Sequence, residues 1–127
     1  MKEISKDKND ALIAIVDDDE SVCEALESLL KSIGFRTASF TSARNFLDSP
    51  QLPNVSCVVL DVSMPNMNGL ELQRQLAGTN PIPIIFITAH RDEKTRERAL
   101  RAGAVSFLNK PFSDDALIDS LHTALSE

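Results

Sequence analysis

The sequence predicts a single α/β domain built on a parallel sheet. Three short runs, at 11–16, 55–60 and 82–88, are almost continuously apolar and rich in β-branched residues. Such runs are typical of strands that are covered on both faces, as in a parallel sheet. Segments with a helical spacing of apolar residues lie between them, and this alternation favours right-handed crossovers that place helices on both faces of the sheet.

Five strands and five helices are expected in strict alternation. The runs at 35–39 and 104–109 are weaker strand candidates that complete the set. The first helix follows from apolar residues at helical spacing between Val22 and Ile33, and Gly34 supplies its end. The other helices are expected to start at a cap on Thr41 or Ser42 and end near Asp48, then to span 69–77, 92–102 and, behind a Ser113 cap, 114–125.

Length and composition limit the possible functions. The 127 residues suit one domain, and 43% hydrophobic with 25% charged residues is ordinary for a globular protein. A net charge of -6 argues against direct nucleic-acid binding by this chain. We divide the chain into a polar tail, 1–10, and a domain, 11–127. The sequence shows neither a signal peptide nor a membrane span, so we expect a cytoplasmic protein without a membrane partner.

Polar residues follow the predicted strands at the points where the strands end. Because the carboxyl ends of parallel strands share one edge of the sheet, we expect these side chains to converge there. Clustered carboxylates repel one another unless a cation is present, and hard oxygen ligands favour Mg²⁺. We expect Asp19 to cap the first helix instead. The converging residues are Asp17 and Asp18 after the first strand, Asp61 after the third, Thr88 after the fourth and Lys110 after the fifth.

Four separated motifs carry a family resemblance. The stretches "IVDDDE", "VVLDVSMPNMNGLEL", "IIFITAH" and "AGAVSFLNKPF" occur in that order. Over roughly residues 11–125 the chain resembles the receiver domain of two-component response regulators, in particular receivers that precede a helix-turn-helix output domain of the nitrogen-fixation or LuxR-like class. The resemblance implies a flavodoxin-like (βα)5 fold, a doubly wound parallel sheet with strand order 2-1-3-4-5.

The resemblance also implies a phosphoacceptor and a metal site. Asp61 would take a phosphoryl group from a phosphohistidine on a sensor histidine kinase. Asp18 would bind Mg²⁺, or Mn²⁺, directly, and Asp17 would do so through water. Asp61 itself and the backbone carbonyl of Ser63 would complete the protein ligands.

Three further residues would complete the receiver site and its switch. Thr88 and Lys110 would hold the phosphoryl group, and the Lys110 to Pro111 bond is expected to be cis. Phe107 stands at the aromatic switch position and would rotate when Thr88 moves, although it could equally be a plain core residue. The face at 92–125 would then change shape, which suggests a phosphorylation-dependent homodimer. The resemblance describes a signalling domain and not an enzyme.

Two other functions remain open from the sequence. A receiver-like module could bind partners without being phosphorylated. A small phosphatase of the haloacid dehalogenase type would use Asp17 as its nucleophile, but this chain has Glu20 where that family has Thr or Val. The resemblance suggests that the chain is a fragment, and that an output domain which controls transcription lies outside these residues.

Overall fold

A parallel α/β sheet organises the computed structural model, which describes residues 10–126. The expected strands and helices are all present there, so the predicted fold class is confirmed. The polar tail lies outside the described residues except for Asp10. The strands are β1 (Leu12–Val16), β2 (Arg36–Phe40), β3 (Cys57–Asp61), β4 (Ile84–Thr88) and β5 (Ser106–Asn109). The helices are α1 (Glu20–Ser32), α2 (Ala43–Leu47), α3 (Gly69–Thr79), α4 (Glu93–Arg101) and α5 (Asp114–Leu125), with a short 3-10 turn at Leu52–Asn54 that was not predicted.

The strands are parallel and lie in the order β2-β1-β3-β4-β5, as expected. The chain moves outwards from β1 to β2, returns to the centre at β3, and then continues through β4 to β5. The direction of strand order therefore reverses between β1 and β3. In open sheets of this kind a crevice forms at that point, outside the carboxyl ends of the strands.

Two apolar clusters sandwich the sheet. All five residues of β1, β3 and β4 are buried, which is why their sequences are apolar almost without interruption. In β1 the side chains alternate, with Ile13 and Ile15 in the cluster that also holds residues of α1 and α5, and Ala14 and Val16 in the cluster that also holds residues of α2, α3 and α4. Each large apolar side chain buried here stabilises the fold by roughly 1.5–3 kcal/mol, so the central strands form a rigid support.

Each α-helix begins at a side chain that accepts a hydrogen bond from the backbone of the first turn. Three of these caps agree with the sequence, including Ser42 as one of the two alternatives offered for α2. The cap of α3 is a capping box. The side chain of Asn68 accepts from the backbone N–H of Glu71, and the carboxylate of Glu71 accepts from the backbone N–H of Asn68. The five caps are Asp19, Ser42, Asn68, Asp92 and Ser113.

Both cysteines, Cys23 and Cys57, are buried and free. Burial raises the pKa of the Cys57 thiol to about 12, which makes it unreactive. Among residues 10–126 the structure contains no helix long and apolar enough to cross a membrane.

Candidate functional site

Three carboxylates meet at the carboxyl edge of the sheet. Asp17 and Asp18 follow β1, Asp61 ends the neighbouring strand β3, and one oxygen from each of the three lies within 4.8 Å of the others. Asp17 is 0% exposed and Asp61 is 6% exposed, whereas Asp18 faces solvent. The sequence predicted that these residues would come together, and the structure confirms it.

Lys110 follows the edge strand β5, and its side chain reaches the same cluster. Its Nζ lies 3.0 Å from Oδ2 of Asp17, whose side chain is 1% exposed. The Lys110 to Pro111 bond is cis, as expected. The pairing of this ammonium with Asp17 leaves the charge of Asp61 without a direct cationic partner among the described ion pairs.

The electrostatics of Asp61 follow from this arrangement. Its pKa is raised from 3.8 to about 6, first because burial disfavours the charged form and next because the Asp17 carboxylate is near. Lys110 acts in the opposite direction, as does the backbone N–H of Ser63, which donates to Oδ1 of Asp61 at 3.3 Å. The surroundings of this carboxyl group therefore disfavour its charged form more than water does, and additional positive charge would act in the opposite direction.

Thr88 and Phe107 occupy the neighbouring strands. Thr88 ends β4, is 2% exposed, and its hydroxyl oxygen accepts a hydrogen bond from the backbone N–H of His90 at 3.1 Å. Phe107 in β5 is 8% exposed, and its ring centroid lies 6.0 Å from that of Phe86 in β4. Phe107 is therefore a core residue in this structure, which fits the plain alternative and is also compatible with a switch.

Two supporting contacts were not predicted from the sequence. The thiol of Cys23 donates to the backbone carbonyl of Asp17 at 3.3 Å. A side chain at Gly69 would place its Cβ only 2.6 Å from the backbone oxygen of Asp61, so the start of α3 packs directly on the backbone of the acceptor candidate. The "M-P-N-M-N-G" stretch contains this glycine, but only the structure shows what it approaches.

Comparison with known families decides what this site belongs to. The family model of the response regulator receiver domain matches residues 13–122. The chain belongs to this family. It is a receiver domain of the kind found in response regulators.

Similar proteins are transcriptional and response regulators. The receiver domain is 46% identical over 117 residues to response regulator protein TmoT of Ectopseudomonas mendocina, covering 91% of this chain and 53% of that protein. It is 42% identical over 118 residues to transcriptional regulatory protein FixJ of Bradyrhizobium diazoefficiens, covering 91% of this chain and 57% of that protein. This chain thus spans about half the length of the curated relatives it matches.

Solved structures confirm the receiver fold. The crystal structure of FixJ-N superposes with a TM-score of 0.84 at 38% identity, covering 93% of this chain and 95% of that one. The structure of the response regulator StyR superposes with a TM-score of 0.84 at 46% identity, covering 92% of this chain and 60% of that one. The BeF3-activated receiver domain of DrrB superposes with a TM-score of 0.82 at 29% identity, covering 92% of this chain and 98% of that one.

The residues of the acidic cluster fit a divalent cation. Receiver domains typically bind Mg²⁺ at an acidic pocket, and the carboxylates of Asp17, Asp18 and Asp61 offer the hard oxygen ligands that Mg²⁺ and Mn²⁺ prefer. The chemistry of these donors does not favour zinc, which takes mostly nitrogen and sulfur ligands.

Proposed function

We propose that this receiver domain accepts a phosphoryl group on Asp61 from a phosphohistidine of a sensor histidine kinase, in a Mg²⁺-dependent reaction. The convergence of three carboxylates and Lys110 at one edge of the sheet carries this proposal. The domain would act as a cytoplasmic signalling domain and not as an enzyme. It would control transcription through a helix-turn-helix domain that is outside this chain.

The transfer requires an ionised, correctly placed acceptor. A carboxylate oxygen of Asp61 forms a bond to phosphorus while the P–N bond of the phosphohistidine breaks, and the imidazole nitrogen keeps the bonding electrons. Bound Mg²⁺ supplies positive charge that neutralises the carboxylates and the phosphoryl oxygens. Asp18 would bind the ion directly and Asp17 through water, and the carbonyl of Ser63 would complete the set.

Lys110 and Thr88 would then hold the transferred group. The ammonium of Lys110 lies 3.0 Å from Asp17 and would turn towards the new phosphoryl oxygens, which are more strongly charged than one carboxylate. The Thr88 hydroxyl accepts its bond from His90, so its own proton is free to be donated to a phosphoryl oxygen. Movement of Thr88 would open space for the Phe107 ring to rotate.

The face at 92–125, formed by α4, β5 and α5, would transmit this change. A partner can exploit the change only if it binds one conformation better than the other. We propose a homodimer that forms through this face on phosphorylation. Sedimentation of the phosphorylated and unmodified domains at the same high concentration tests it, and equal sedimentation would exclude the dimer.

Phosphoryl transfer is tested by intact-mass spectrometry after incubation with Mg²⁺ and acetyl phosphate. We expect wild type to gain one phosphoryl group, Asp61→Asn to gain none, and Asp18→Ala to gain far less. Asp119→Asn, which removes an exposed acid on α5, is the matched control and should be labelled like wild type.

A wild-type domain that stays unlabelled, under conditions that label another receiver, would refute the proposal. The phosphorylation-independent binding module would then be the better account. Turnover of a free phosphomonoester that persists in Asp61→Asn but is lost in Asp17→Asn would instead support the phosphatase alternative.

A further inference from the structure

A buried glutamine joins α3 to α4. Gln73 is 6% exposed, and its Nε2 donates to the backbone carbonyl of Ala99 at 3.1 Å. Among residues 10–126 it is the one side-chain hydrogen bond between these two helices. A buried amide without a partner would be unfavourable, so this contact restrains where α4 can lie relative to α3.

The rest of the contact between the two helices is loose. Ala99 is the one buried residue of α4. Two clefts, of about 210 and 150 Å³, are both lined by Gln73, Ala77 and Ala102. The apolar contact of α4 with the domain is therefore small, consisting of buried Ala99 and partly buried Leu100, and Gln73 adds the one side-chain hydrogen bond that joins it to α3 among residues 10–126.

The helix held in this way lies between the two switch residues. It begins at Glu93, shortly after Thr88, and it leads into β5, which carries Phe107. Ala99 and Phe107 belong to the same apolar cluster. The carbonyl of Ala99 also accepts the backbone N–H of Ala104 at 3.0 Å, so Gln73 bonds at the junction where α4 turns towards β5.

We propose that Gln73 is a positioning residue that clamps α4 in the arrangement of the unphosphorylated domain and so opposes activation. This inference rests on the proposed phosphoacceptor function of Asp61, because activation means the change that a phosphoryl group at that site produces. By linkage, a bond that is made only in the inactive arrangement lowers the affinity for any ligand that selects the active one.

Removal of the clamp should therefore strengthen the binding of a phosphoryl mimic. A net hydrogen bond contributes about 1 kcal/mol, which corresponds to about fivefold in an equilibrium constant. In Gln73→Met the side chain keeps a similar length but loses its donor. The carbonyl of Ala99 keeps its bond from Ala104, so the variant leaves no orphaned group and should fold.

The test measures the affinity for beryllofluoride in the presence of Mg²⁺ by titration calorimetry. Calorimetry suits this chain because it contains no Trp or Tyr. We expect Gln73→Met to bind beryllofluoride up to about fivefold more tightly than wild type. Gln75→Met makes the same chemical change at an exposed position of α3 and should bind like wild type. Hydrogen exchange of the α4 amides without ligand should accelerate in Gln73→Met only.

The outcomes separate the clamp from the proposed function. Faster exchange in α4 without tighter beryllofluoride binding would reduce Gln73 to a structural contact and overturn the proposal. Unchanged exchange and unchanged affinity would overturn it as well. If wild type neither binds beryllofluoride nor is labelled on Asp61, the phosphoacceptor function fails and the proposed opposition to activation falls with it. If wild type is labelled and only the Gln73→Met effect is missing, the clamp alone fails.

Discussion

Neutralising the acceptor should stabilise the domain when no metal is present. The pKa of Asp61 rises from 3.8 in the unfolded chain to about 6 in the fold. Between these values the folded state holds a proton that the unfolded chain has released, so stability falls as the pH rises through this window. Above it, the ionised Asp61 works against folding, and Asp61→Asn removes that charge.

The shift of about two pKa units sets an upper limit of about 3 kcal/mol on this effect. Water in the crevice screens part of the repulsion, because Asp18 beside it is exposed. We therefore expect Asp61→Asn to raise the free energy of unfolding by about 1–2 kcal/mol near pH 8 in chelator, and by about half as much near pH 5, which lies inside the window between the two pKa values. Urea unfolding followed by far-UV circular dichroism measures both values.

Mg²⁺ and a surface acid provide the controls. Millimolar Mg²⁺ should stabilise wild type more than Asp61→Asn, since the variant lacks one carboxylate ligand. The difference in the free energy of unfolding between the two proteins should therefore become smaller or change sign when Mg²⁺ is added. Asp119→Asn should change stability by less than about 0.5 kcal/mol at either pH. If Asp61→Asn proved no more stable than wild type near pH 8 without metal, the electrostatic account of this site would be wrong.

Two other substitutions test the site by urea unfolding. Lys110→Met leaves the buried carboxylate of Asp17 without its ion-pair partner and should lower the free energy of unfolding by about 2–3 kcal/mol near pH 8. This is less than the loss expected for a fully buried pair, because the side chain of Lys110 is partly exposed. A change below about 0.5 kcal/mol would contradict this. Gly69→Ala would press on the backbone of Asp61 and should destabilise by about 2 kcal/mol or more. Gly78→Ala, in open space on the same helix, should stabilise by about 0.5–1 kcal/mol, and equal effects of the two would refute the steric argument.

The fold was predictable because the central strands are buried on both faces. Their unbroken apolar runs left few alternatives, and helical spacing with caps such as Ser113 located the helices to within a few residues. Strand starts were less accurate. The run that begins at Ile82 enters β4 only at Ile84, because a strand pattern does not show where pairing begins. The 3-10 turn around Pro53 had no periodic signal at all.

The site was predictable only as far as strand ends determine it. The rule that parallel strands share one carboxyl edge places Asp17, Asp61 and Lys110 together. It does not say that the ammonium pairs with Asp17, because that depends on side-chain geometry across the sheet. The sequence did not indicate a role for Gln73, since its partner is a backbone carbonyl 26 residues away and a helical glutamine resembles any other polar surface residue.

The capped helices have a consequence for the field at the carboxyl edge. In a parallel α/β sheet each helix that follows a strand starts at that edge, so the positive ends of the helix dipoles lie on the same side as the acids. Each cap accepts from only one or two N–H groups of the first turn, so the remaining N–H groups add their partial positive charge at the helix start. The backbone thus adds a diffuse positive potential that is independent of side-chain charge. A dianionic group arriving there would meet this potential even while Asp17, Asp18 and Asp61 repel it.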